Sequence, residues 1–186
     1  MRGRGGFLAR MGAVAAGAFG LLGGCDAYTV TRVESLPLMS KGTLYTIAAR
    51  GGIPTEIHGA PFPGATPDEV AAHLRLPAGL PAGIRFRPVA PGGFEDEHEK
   101  ARLVLIFNGA SPPGSGPACR LREIAPANPP QAGGFTLYAV FCDGRSWFGQ
   151  GFLEARKTEP GDWTRFGRLT ANLFQEILVH AEGARR

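Results

Sequence analysis

The sequence predicts an α+β domain, a mainly antiparallel sheet with a short helix and a long C-terminal helix packed on one face. Three observations carry this. "FTLYAVFC" and "RSWFGQGFLEA" flank Asp143-Gly144, a dipeptide suited to the type I′ turn that matches strand twist, so they predict a hairpin. Trp163, Phe166, Leu169, Leu173, Phe174, Ile177 and Leu178 recur at three- and four-residue spacing, the apolar face of a helix about five turns long. Strands, a short helix, more strands and a long helix, in that order, is the α+β pattern and not a regular βα alternation.

Tyr28 to Val33 alternates weakly and reads as a strand or as part of a stalk. The domain is expected to begin near residue 41 and to run as one unit over 41–186. "TLYTIAA" (43–49) is rich in β-formers and predicts a strand. Gly51-Gly52 is a turn signal, and "IPTEIHG" predicts a strand returning beside the first. "GATPDEVAAHLRLP" carries the clearest helix start. Thr66 can cap, Pro67 suits the first helical position and Glu69 completes a capping box. Val70, Ala71 and Leu74 share a face, and Pro77 ends the helix after about two turns.

"IRFRPV" predicts a short strand, and "ARLVLIFNG", apolar on both alternating faces, a central one. "ASPPGSGPAC" and "APANPPQAGG" are expected as loops. "CRLREI" between them is expected as a strand with Cys119 and Leu121 on one face. In the second hairpin strand, strict alternation puts Trp147, Gly149, Gly151 and Leu153 on one side. Two glycines there leave a trough. The C-terminal helix can fill it, since glycine allows close backbone approach, or it can serve as a ligand or partner groove edged by Trp147. Asp162 is positioned to cap that last helix.

The start of the chain says where the protein goes. Arg2, Arg4 and Arg10 make a basic opening, and Met11 to Leu22 is an uncharged, largely apolar run. That run suits a signal-peptide core and falls short of the ~20 residues of a spanning helix. Leu22-Gly23-Gly24-Cys25 follows. Together these features resemble a bacterial lipoprotein precursor with a lipobox. The resemblance implies a signal peptide over 1–24, cleavage before Cys25, lipid on Cys25, and a short lipidated tether over 25–40. It places the domain on the periplasmic face of an envelope membrane. Asp26, directly after the cysteine, resembles an inner-membrane retention signal. The stretch from "AVFCDG" through the last helix is also similar to uncharacterised proteobacterial lipoproteins, a resemblance that implies no activity.

The chain holds 20 basic and 16 acidic side chains. Three of the arginines sit in the expected leader, so the remainder is close to neutral and carries no basic run for nucleic acid. With Cys25 assigned to lipid, Cys119 and Cys142 remain. In an oxidising compartment an even pair reads as one disulfide, closing a loop of about 23 residues worth roughly 3 kcal/mol.

Signals for chemistry are weak. Glu95, Asp96, Glu97, His98 and Glu99 are consecutive, lack the spacing of a calcium loop and read as a solvated stretch. His58, His73, His98 and His180 form no metal-ligand motif, and neither cysteine has a CxxC partner. "GRSWFG" (144–149) is one residue too long for a nucleophile elbow and lies in a hairpin. No phosphate-binding glycine loop is present. No metal, cofactor or catalytic residue is therefore assigned. The expectation is a tethered accessory or assembly subunit that binds a protein partner. A small-molecule or lipid-binding domain using the groove at Trp147 is the first alternative, and an unrecognised hydrolase the second.

Overall fold

The structure, a computed structural model, describes residues 28–36, 40–80, 83–91, 100–109, 114–120, 128–130 and 133–183. It is an α+β domain built on one six-stranded sheet. The strands are β1 (Tyr28–Ser35), β2 (Ile53–His58), β3 (Phe86–Val89), β4 (Ala101–Phe107), β5 (Gly134–Asp143) and β6 (Ser146–Arg156). The helices are α1 (Lys41–Ala48), α2 (Pro67–His73), α3 (Ser115–Arg120) and α4 (Trp163–Gly183).

The sheet order is β1-β6-β5-β4-β2-β3. Pairing is antiparallel from β1 through β4. It is parallel between β4 and β2 and between β2 and β3, so the sheet is mixed. β2 does not return beside 43–49 as a hairpin. It runs on through α2 to its parallel neighbour β3. The register gives the sheet two distinct ends. Tyr28, His58, Phe107, Gly134 and Arg156 mark one; Ser35, Ile53, Ala101, Asp143 and Ser146 mark the other.

The segment 43–49 is helix α1, not a strand. Ser40 caps it, its Oγ accepting from the Thr43 amide at 3.1 Å. Leu44 and Ile47, three apart, are buried together. Burial at helical spacing outweighs the modest β-preference of Thr, Tyr and Ile. Cys119 and Arg120 likewise end helix α3 and do not begin a strand; 121–127 lie outside the described residues. Tyr28–Ser35 is an edge strand of the sheet, so ordered structure begins ahead of residue 41.

Several expected elements form as read. α2 has its capping box: the Thr66 hydroxyl accepts from the Glu69 amide, and the Glu69 carboxylate accepts from the Thr66 amide at 2.9 Å. These bonds, the backbone one foremost, hold the Glu69 carboxyl below its ordinary range. The β5–β6 hairpin closes one residue later than the Asp-Gly reading. Asp143 pairs with Ser146, and of the two loop residues only Gly144 has a positive φ, 55°. That sign pattern belongs to a type II′ turn.

α4 is capped by Asp162, whose Oδ1 accepts from the Arg165 amide at 2.9 Å. Its buried stripe of Phe166, Leu169, Leu173, Phe174, Ile177 and Leu178 covers one sheet face. There it meets Leu103, Leu105 and Phe107 of β4, and Leu137, Ala139 and Phe141 of β5. A side chain added at Gly151 would stand 2.8 Å from Leu173 Cδ1 and 3.2 Å from Ile177 Cγ1. The glycine trough exists, and the helix fills it.

Candidate functional site

The face of the sheet away from α4 holds the buried polar chemistry. Cys119 on α3 and Cys142 on β5 are joined by a disulfide, as the sequence predicts. Beside it lies Arg102, the register partner of Cys142. Arg102 is wholly buried. Its Nε donates to Glu56 at 3.0 Å, Nη1 to the Gly144 carbonyl at 3.1 Å and Nη2 to the Cys119 carbonyl at 3.0 Å. One side chain thus ties β2, the hairpin turn and the disulfide helix together.

Glu56 is also fully buried, and its second oxygen contacts His58 Nε2 at 2.7 Å. Glu56 and His58 are two apart on β2, so they share a face. The group Arg102–Glu56–His58 was not assembled from the sequence. The available signal was the alternation of Glu56 and His58 in "IPTEIHG", with an arginine leading the most apolar strand. The His–carboxylate contact has the form of a base pair for proton transfer. It lines neither of the two clefts described below, and its carboxylate is already engaged by a guanidinium. Its evident role is to satisfy buried charge.

A second polar chain crosses β5, β6 and β1. The Tyr138 hydroxyl donates to Gln150 Oε1, and Gln150 Nε2 donates to Glu34 at 2.7 Å. Burial, and then the Glu34 charge, push the Tyr138 hydroxyl up to about 12.

Trp147 and the glycines are separated by the fold. Phe141 pairs with Gly149 but Cys142 pairs with Trp147, so Phe148 is an extra residue in β6. The bulge breaks strict alternation. Phe148 joins Leu153 on the α4 face, while Trp147 packs with Phe152 on the disulfide face. Gly151 lies under α4, and a single groove formed by Trp147, Gly149 and Gly151 does not exist.

A different cleft does include Trp147. It has a volume of about 450 Å³ and opens at the hairpin-tip end of the sheet. Trp147, Phe148, Leu36, Ile47 and Ala101 supply its apolar wall; Arg50 and Asp143 stand at it as charges. Small-ligand pockets fall in this size range, roughly 300–1,000 Å³. The large apolar residues left exposed among the described residues are Leu36, Tyr45 and Val179. Leu36 follows β1 and Tyr45 lies on α1, both at this end. Val179 lies two residues beyond Ile177, whose carbonyl accepts from Ser35 Oγ at 2.7 Å.

A second, more polar cleft of about 270 Å³ lies at the opposite end, with Asn108, Thr136 and Arg156 in its wall. Asn108 closes β4 with φ 52°. Its side chain donates to the Ala60 carbonyl at 2.9 Å and accepts from the Thr136 amide at 3.0 Å.

His73 stacks on Trp163 with ring centroids 4.5 Å apart. Cys25, Asp26, the acidic stretch 95–99 and the side chain of His180 lie outside the described residues. Among the described residues, no group of three or more His, Cys, Asp or Glu could hold a metal ion. Among the same residues, no helix is long and apolar enough to cross a membrane. Compared with known proteins, the chain matches no family model, no curated protein and no solved structure.

Proposed function

We propose that this chain is a lipid-anchored lipoprotein of the bacterial envelope whose domain is a binding module. The cleft at Trp147 receives an apolar side chain of a protein partner. The observation that carries the binding surface is the apolar wall of the cleft, where Trp147, Phe148 and Ile47 meet exposed Leu36. An aromatic and aliphatic concavity open to solvent is characteristic of protein interfaces. The buried polar groups support a scaffold role: Arg102, Glu56, Tyr138 and Gln150 bond to one another, to backbone, or to His58 and Glu34. The tether rests on the basic opening, the apolar run and Leu22 to Cys25. Capture of a small ligand by the same cleft is the second reading, favoured by its volume alone.

Photo-crosslinking in native membranes separates the two. A photoreactive residue replacing exposed Ser146, on the cleft wall, should give one discrete protein adduct. The adduct should vanish with Trp147→Ala and be absent when the residue replaces Glu159. A Ser146 adduct consisting only of a small molecule would replace the partner reading with the ligand reading. No adduct that depends on Trp147 would overturn both.

A further inference from the structure

Tethering at Cys25 combines with the place of β1 in the sheet to fix more than a compartment. Tyr28, the first residue of β1, is already paired with Ala155. It is the third residue after Cys25, with only Asp26 and Ala27 between them. Three residues span at most about 10 Å even when fully extended. A lipid on Cys25 would therefore leave the domain no stalk. The Tyr28 end of the sheet has to sit within reach of the headgroups.

That end presents charged side chains of both signs. Arg156 and Lys157 follow Ala155 directly and are both exposed. The Arg156 side chain, 71% accessible, also forms the rim of the polar cleft. Glu154 pairs with Arg156 at 2.8 Å, Asp162 caps α4 and Glu159 is exposed two residues beyond Lys157, so the length of the tether, not net charge, sets this end on the surface. The opposite end carries the apolar cleft and exposed Leu36 and Tyr45. β1 runs from one end to the other, and its eight residues cover up to about 26 Å.

We propose that the domain stands on the membrane by its Tyr28–Arg156 end and holds the Trp147 cleft at its far end, facing the periplasm. The inference rests on the lipoprotein reading and deepens it. The occupant of the cleft then comes from the periplasmic side, such as a segment of a protein partner, and not from the acyl layer below.

The test uses the full acylated chain in vesicles of phosphatidylethanolamine and phosphatidylglycerol containing a headgroup-nitroxide lipid. Arg156→Cys and Arg145→Cys, both at exposed positions near opposite ends of β6, are labelled separately with bimane without reductant, so that the Cys119–Cys142 bridge stays closed. Unchanged thermal transitions confirm that both variants are folded. Bimane emission should be lost at position 156 and retained at 145. Equal quenching at the two positions would show the domain lying flat, and stronger quenching at 145 would show it inverted. Either result overturns the orientation but leaves the tether intact. Intact mass on the same samples reports the lipid. A chain without acyl groups on Cys25 would overturn the tether reading together with the orientation.

Discussion

The Arg102 guanidinium and the Glu56 carboxylate meet at 3.0 Å with both side chains fully removed from solvent. Such a pair contributes little net stability compared with an apolar pair of similar volume, yet removing one partner leaves an unpaired charge in the core. Arg102→Met should therefore destabilise the domain by about 3–5 kcal/mol, read as a lower urea midpoint at unchanged slope. Adding Glu56→Gln should restore part of the loss. A double variant less stable than Arg102→Met would contradict this assignment.

The Cys119–Cys142 bridge anchors α3 to β5 beside Arg102. Replacing both cysteines with alanine should cost about 3 kcal/mol, the entropy of a loop of this length. Thiol labelling of denatured, unreduced protein should find neither cysteine free.

Gly151 should tolerate alanine better than valine. Its nearest neighbour is the end of the flexible Leu173 side chain, which can shift for one methyl group. Valine would also press on Ile177, and overpacking of that kind costs about 1–3 kcal/mol. Thermal unfolding of the two variants measures the difference, and equal transitions would mean that α4 is not seated on β6 as described.

Tyr138 gives a pH signature. Its hydroxyl is raised from 10.0 to about 12 in the fold. Above pH 10 the unfolded chain loses this proton while the folded chain keeps it, so unfolding is increasingly favoured up to about pH 12. Below pH 10 the contribution is fully present. Tyr138→Phe should flatten the alkaline limb of a stability-against-pH curve over that window. An identical limb in wild type and variant would remove Tyr138 as its source.

Features written in local chemistry were legible in the sequence. The Thr66–Glu69 capping box, the apolar stripe from Phe166 to Leu178, the hairpin and the disulfide each rest on residues near one another in sequence or on simple pairing. What the sequence concealed depends on distant partners. Thr43 to Ala49 has strand-like composition, and only the joint burial of Leu44 and Ile47 makes it a helix. The bulge at Phe148 moved Trp147 to the other face, and nothing in "RSWFGQG" marks it in advance. Arg102 is drawn inside by Glu56 and by carbonyls from two other elements, contacts that no window of sequence contains.

Compartment, orientation and partner all depend on the fate of Cys25, so the intact mass of the mature protein extracted from its own membranes is the most direct test. The account predicts a chain that begins at Cys25 and carries a diacylglyceryl group on its sulfur, with Cys119 and Cys142 oxidised. A mature chain that retains residues 1–24, or begins elsewhere with Cys25 absent or as a free thiol, would contradict it.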